Sequence, residues 1–216
     1  MNVALFGGTF DPVHSGHLAA ARAAMKTFRL DQIHFVPSSV PPHKRNRPLT
    51  EFAHRYAMVA LACAGVPQFF PSLMEAPGAN DSHPNYSIVT VRKTAAALAP
   101  GDRLYFLIGA DAFREIAEWH EPVALLDSCD FIIASRPGFA IREIQAVIPA
   151  ELRGGEATET SLALRRTCVH LLNTVEADIS SSAIRRLASE GKPLAGLVPD
   201  GVAEYIQKAG LFVNEK

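Results

Sequence analysis

The chain has 216 residues, 48% of them hydrophobic, which is enough to bury a sizeable core in one α/β unit. Lys and Arg total 21 against 22 Asp and Glu, a net charge of -1, so no global basic field draws in nucleic acid and an anionic ligand must be held by local groups. Cys63, Cys129 and Cys168 are widely spaced with no Cys-x-x-Cys, which points away from a disulfide framework or a cysteine zinc site.

From Met1 the chain enters a short apolar stretch that reaches only to Asp11. It has neither the basic start nor the long apolar region of a signal peptide, so a cytoplasmic location is expected. Residues 56–74 carry no charge and approach the length of a membrane span, but Gly65, Pro67 and Pro71 divide them into a helix ending near Ala64 and a short strand near Phe69 and Phe70.

Val3 to Phe6 reads as a buried strand that feeds the turn Gly7-Gly8. A helix follows over 15–28, rich in Ala, Leu, Met, Arg and Lys and with Ser15 as its expected N-cap; 32–36 is a second strand. Residues 37–48 hold four prolines and four basic or histidine side chains, which suits a loop, after which Thr50 is expected to cap another helix. The alternation continues with helix 87–98, strand 104–108, helix 111–118, strand 131–134 and strand 168–172, then helices over 180–189 and 199–208. Residues 153–160, with paired glycines, read as the least structured part.

Strands alternating with helices imply a Rossmann-like α/β fold: one doubly wound parallel sheet with helices on both faces and a small helical part from about 179 to the C-terminus, all in a single domain over 1–216. Ligands of such sheets sit beyond the carboxyl ends of the strands.

The first strand-to-helix turn, residues 7–17, presents free backbone N–H groups and a helix N-terminus, which favour an anion. Gly7 and Gly8 let a phosphate approach, and the spacing is neither Gly-x-Gly-x-x-Gly nor Walker A. His14 and His17, three apart at the helix start, can converge and donate to phosphate oxygens; the alternative is one capping residue and one exposed polar residue. Five later features are compatible with either a ligand or a plain structural role. Ser87 in Asn85-Tyr86-Ser87 can donate to a carboxylate or cap its helix, and Asp111, at a strand end, can hold ribose hydroxyls or cap. Trp119, the only tryptophan, can stack on a planar ring or belong to the core, and Arg136 can bind a phosphate in a bidentate manner or form a surface ion pair. At 179–185 serines and backbone N–H groups at a helix start form a second anion site that Arg185 can reach, or a serine cap followed by a solvated arginine.

Gly7 to His17 resembles the signature of the nucleotidylyltransferase superfamily, a His-x-Gly-His or Thr-x-Gly-His motif after the first strand. With His14 at the first motif position and a chain of this length, it is more similar to the bacterial nicotinate mononucleotide adenylyltransferase family than to phosphopantetheine adenylyltransferases. Pro41-Pro42-His43-Lys44, Ile108-Gly109-Ala110-Asp111 and Ile179-Ser180-Ser181-Ser182-Ala183-Ile184-Arg185 resemble further motifs of that family, while Asn85 stands where it usually has serine.

The resemblance implies ATP on Gly7, Gly8, Thr9, Phe10, His14, His17, Lys44, Ser180, Ser181, Ser182 and Arg185, with His14, His17, Lys44 and Arg185 catalytic. It implies an acceptor, nicotinate mononucleotide, on Tyr86, Ser87, Asp111, Trp119, His120 and Arg136. Trp119 and His120 would frame the nicotinate ring, and Ser87 would read its carboxylate. The acceptor phosphate would attack the α-phosphate of ATP in line, with Mg²⁺ carried chiefly by the triphosphate and water and no protein metal site. A transferase for another phosphorylated acceptor and a non-catalytic nucleotide sensor are the competing readings. A homo-oligomer is compatible with the sequence, and neither a nucleic-acid nor a membrane partner is expected.

Overall fold

The computed structural model describes residues 1–39, 49–79, 85–135, 139–153, 155–173 and 179–213. Seven strands form one sheet: β1 (Asn2–Gly8), β2 (Gln32–Pro37), β3 (Phe69–Pro71), β4 (Arg103–Gly109), β5 (Asp130–Ala134), β6 (Ser161–Ala163) and β7 (Cys168–Leu172). Their order is β3-β2-β1-β4-β5-β7-β6. All neighbours are parallel except β6, which runs antiparallel to β7 with Leu162 opposite Val169.

Period-two alternation sorts the strands onto two faces. Ala4, Phe6, Phe35, Tyr105 and Leu107 pack on one side under helices α1 (Ser15–Phe28) and α2 (Phe52–Cys63), together with Ile184 of α7 (Ser181–Ser189) and Val202 and Ile206 of α8 (Asp200–Lys208). Val3, Leu5, Phe106, Ile108, Phe131 and Ile133 pack on the other side under α3 (Ser87–Ala97), α4 (Ala110–Phe113), α5 (Pro122–Leu126) and α6 (Ile141–Val147). The chain winds outward from β1 to β3, then crosses back to β4 on the other side of β1. The carboxyl ends of β1 and β4 are therefore the point where strand order reverses and a crevice opens.

The Rossmann-like expectation holds, with four local corrections. The sheet is mixed, because an edge strand not expected from the sequence, β6, forms directly after the 153–160 stretch: Thr158 N–H donates back to Ser161 O (2.8 Å), and Leu162 buries against Val169. The helix expected over 111–118 divides into α4 and a 3₁₀ turn at Ile116–Glu118, and Phe113 and Ile116 are both buried in the same core cluster. Ser15 does not cap α1; backbone extension at His14 (φ -145°, ψ 170°) makes that residue the cap. Nor does Thr50 cap α2, because its carbonyl is taken by Arg55 Nε (2.8 Å) and Glu51 occupies the cap position without a side-chain bond. Among the described residues no helix is long and apolar enough to cross a membrane, and the uncharged 56–74 stretch forms the end of α2 and then β3.

Candidate active site

A cleft of about 1030 Å³ opens at the carboxyl ends of β1 and β4. Its floor is the end of β1, which takes in Gly7 and Gly8 instead of leaving them to a turn, and the turn that follows it. A Cβ on Gly7 would lie 2.9 Å from the Phe106 ring, and one on Gly8 would lie 3.0 Å from the Phe10 ring. Both glycines are thus set by aromatic packing as well as by access for a ligand. Phe10 takes φ 50°, a conformation non-glycine residues rarely hold, and is buried rather than lining the cleft. Its ring meets those of Phe6 (5.5 Å, 87°) and His17 (5.1 Å, 70°) edge-on. Phe10 therefore supports the histidine from beneath.

His14 and His17 line the cleft with their rings stacked (3.7 Å, 29°). The backbone N–H of His14 donates to His17 Nδ1 (3.2 Å), and the backbone N–H of His17 donates to His14 Nδ1 (3.3 Å). An Nδ1 that accepts carries no proton, so this reciprocal cap places the ring proton of each neutral imidazole on Nε2. Burial holds His14 down to about 4, so it is neutral at pH 7. The pair thus supplies donors without adding a full charge.

Two arginines brace this turn. Arg55, 1% exposed, donates from Nη1 to Thr9 O (2.8 Å) and from Nη2 to Ser39 O (3.4 Å), with Asp11 nearby to balance its charge. Arg185 donates from Nη1 to Asp11 O (2.6 Å) and from Nη2 to Ser182 Oγ (3.2 Å). Ser181 Oγ donates to Pro12 O (3.0 Å), while Ser180 Oγ caps α7 by accepting from Ala183 N–H (3.2 Å). The 179–185 motif is thereby docked against the first turn, and of its residues Ile179 lines the cleft.

The opposite wall carries Tyr86, Ser87, Asp111, Trp119 and His120. Tyr86 and His120 stack (4.0 Å, 22°), with His120 Nε2 also 3.4 Å from Glu121 Oε1, and Trp119 stands edge-on to Phe106 (6.4 Å, 83°). Tyr86, not Ser87, occupies the cap position of α3, and no side chain caps that helix, which leaves the Ser87 hydroxyl uncommitted to the cap role. Asp111 does not cap either: Gly109 precedes α4, and the Asp111 carboxylate is exposed beside Arg114 Nη1 (3.3 Å). Lys44 and Arg136 lie outside the described residues.

The sequence profile of the cytidylyltransferase-like family matches residues 5–187, which include the turn, both walls and α7 up to Leu187. The chain belongs to that family. Similar proteins include a probable nicotinate-nucleotide adenylyltransferase of Geobacter metallireducens, 39% identical with all of both chains covered. Another of the same name, from Solibacter usitatus, is 41% identical, with 98% of this chain and 100% of the relative covered. In fold the chain resembles Plasmodium falciparum nicotinic acid mononucleotide adenylyltransferase complexed with NaAD, with TM-score 0.68 at 22% identity over 98% of this chain and 97% of the other.

Within this cytidylyltransferase-like frame, sequence reading missed the buried acid Glu75 and the buried Arg55. Glu75 lines the cleft at 7% exposure, its carboxylate accepting from Thr90 Oγ1 (2.8 Å) and from Ser38. Burial pushes its carboxyl up to about 7, against the lowering effect of those two bonds. In sequence Glu75 is one carboxylate in a turn and Arg55 one charge on an amphipathic helix, both of which normally read as solvated. Only the tertiary packing distinguishes them.

Proposed function

We propose that the chain is a nicotinate-nucleotide adenylyltransferase: it moves AMP from ATP to nicotinate mononucleotide, forming nicotinate adenine dinucleotide and pyrophosphate in NAD biosynthesis. The observation that carries this reading is the reciprocal His14–His17 cap, which leaves an Nε2–H on each ring at the carboxyl end of β1, across the cleft from the Tyr86, Trp119 and His120 wall. Relatives that match along the whole chain and bear this activity's name support the choice of acceptor.

In this reaction the phosphate of the acceptor attacks the α-phosphorus of ATP, a new P–O bond forms, and the bond to pyrophosphate breaks. No protein nucleophile is required, so the protein's contribution is alignment and charge stabilisation. His14 and His17 donate to the phosphoryl oxygens, the α1 N-terminus adds its dipole, and Arg185 holds the turn that carries them. Lys44 serves the leaving pyrophosphate. On the acceptor side Trp119 offers a ring face, Ser87 and backbone N–H groups donate to the nicotinate carboxylate, Asp111 takes ribose hydroxyls and Arg136 takes the acceptor phosphate. Mg²⁺ arrives with the triphosphate, held by its oxygens and water. The setting is the cytoplasm.

The test is a panel of phosphorylated acceptors mixed with MgATP, reading pyrophosphate release and dinucleotide formation. Turnover with nicotinate mononucleotide is expected. Release only with a different acceptor would overturn the acceptor, and no release with any acceptor would overturn the transferase reading.

A further inference from the structure

Transfer between two bound anions depends on how the two halves of the cleft are registered, and one buried acid outside the proposed binding set joins them. Ser38 follows β2 and is fixed to the phosphate turn by its own N–H, which donates to Gly8 O (3.0 Å). Thr90 lies one turn into α3, the helix whose start carries Tyr86 and Ser87. The carboxylate of Glu75 accepts from both hydroxyls. A parallel strut runs beside it: Asn85 Nδ2 donates to Ser39 Oγ (2.6 Å) and to Glu75 O (2.7 Å). Glu75, Thr90 and Asn85 are all buried.

We infer that Glu75 is a positioning residue for adenylyl transfer, the strut that sets the acceptor wall at the start of α3 against the ATP turn at the end of β1. The inference rests on the adenylyltransferase reading. A carboxyl buried in a cleft that receives two anions is costly for binding, and a fold that needed only stability would place an apolar side chain there. What a carboxyl adds is two acceptor oxygens that can take hydroxyls from two separate elements at once. Its pKa near neutrality does not disturb this, because a protonated carboxyl still accepts on its carbonyl oxygen and can turn its proton toward the second hydroxyl.

The experiment compares the wild type with Glu75→Ala, Glu75→Gln and Thr90→Val in the full chain, varying MgATP and nicotinate mononucleotide separately and following pyrophosphate. Thermal unfolding and calorimetric binding of the α,β-methylene analogue of ATP are measured alongside. Loss of the strut misplaces the acceptor relative to the α-phosphate, so Glu75→Ala is expected to lose roughly 10- to 100-fold in kcat, raise the acceptor KM, and bind the ATP analogue within about twofold of the wild type. Glu75→Gln, which keeps an acceptor oxygen, is expected to recover most of the lost turnover. A folded Glu75→Ala with kcat and acceptor KM within about twofold of the wild type overturns the inference, as does a loss that falls equally on binding of the ATP analogue. If Glu75→Ala does not fold, Thr90→Val decides, since it removes one hydroxyl at constant shape; unchanged kcat there overturns the inference. A wild type inactive with every acceptor would instead sink the adenylyltransferase reading itself.

Discussion

His14 and His17 cap each other: each ring takes the backbone N–H of the other residue, at 3.3 and 3.2 Å, while the rings stack 3.7 Å apart. The same two contacts start helix α1 and select the Nε2–H tautomer. Stability and chemistry are therefore joined in the pair, and substitutions can separate them. His17→Ala should lower turnover by about a hundredfold or more, the scale of losing one donor to developing phosphate charge. His14→Ala should also cost about 1 kcal/mol of stability as a lost cap. His14→Asn is expected to restore the cap and the melting temperature but not the turnover. A His14→Asn variant as active as the wild type would show that the Nε2–H of His14 takes no part.

Glu75 and His14 should oppose each other in the pH dependence of stability. Glu75, raised from 4.5 to about 7, makes the native chain hold an extra proton across that window, so its contribution is full below pH 4.5 and is lost as pH rises through 7. His14, lowered from 6.5 to about 4, makes the unfolded chain hold the extra proton, so its contribution is full above pH 6.5 and is lost as pH falls through 4. Between 4.5 and 6.5 the two slopes cancel. In Glu75→Gln the cancellation is removed, and its stability relative to the wild type should climb with pH across 4.5–7, by up to about 1.4 kcal/mol per unit. Denaturant unfolding at several pH values checks this, and a pH-independent difference refutes it.

Gly7→Ala should be costly for a reason that has nothing to do with phosphate. The new Cβ would meet the end of the Phe106 ring at 2.9 Å, and that ring is buried and packed edge-on to Trp119. The expected loss is about 1–3 kcal/mol, typical of an overpacked core. Adding Phe106→Leu should return part of it. Thermal melts of the single and double variants decide, and a double variant no more stable than Gly7→Ala would show that the clash is not with Phe106.

Arg185→Ala should lower both stability and turnover, because its guanidinium holds the Asp11 carbonyl that shapes the first turn. Leaving that buried acceptor unmet costs about 1–3 kcal/mol. Lys44→Ala, by contrast, should affect turnover with little effect on the melting temperature, since its assigned work is on the leaving group. Parallel kinetics and melts separate the two, and equal melting losses would contradict this division.

Acceptor choice rests on donors to a carboxylate. Ser87 is not used as a helix cap, and a carboxamide NH₂ offers a donor where an acceptor is required. Nicotinate mononucleotide should therefore exceed nicotinamide mononucleotide in kcat/KM, because a mismatched group leaves buried donors unmet. Trp119→Ala should weaken both. Equal use of acid and amide would remove the carboxylate-reading role, and an indifferent Trp119→Ala would remove the stacking role.

The sequence by itself determined the α/β class, the presence of β1, the extent of α1, the histidine turn and the motifs at 108–111 and 179–185, because each is a local pattern: an apolar run, a helix-forming run, or a fixed spacing beside a strand end. Only the tertiary structure decided that His14 rather than Ser15 caps α1, since that depends on an extended backbone at one residue and on a ring reaching back. It alone placed β6 antiparallel at the edge, where pairing with β7 outweighs a weak local strand signal. It also set His120 on Tyr86 and Trp119 on Phe106. Glu75 and Arg55 show the limit most clearly: a charged residue is solvated by default, and whether it is buried with partners depends on Thr90, Ser38, Thr9 and Ser39, residues from other elements that no local spacing connects to it.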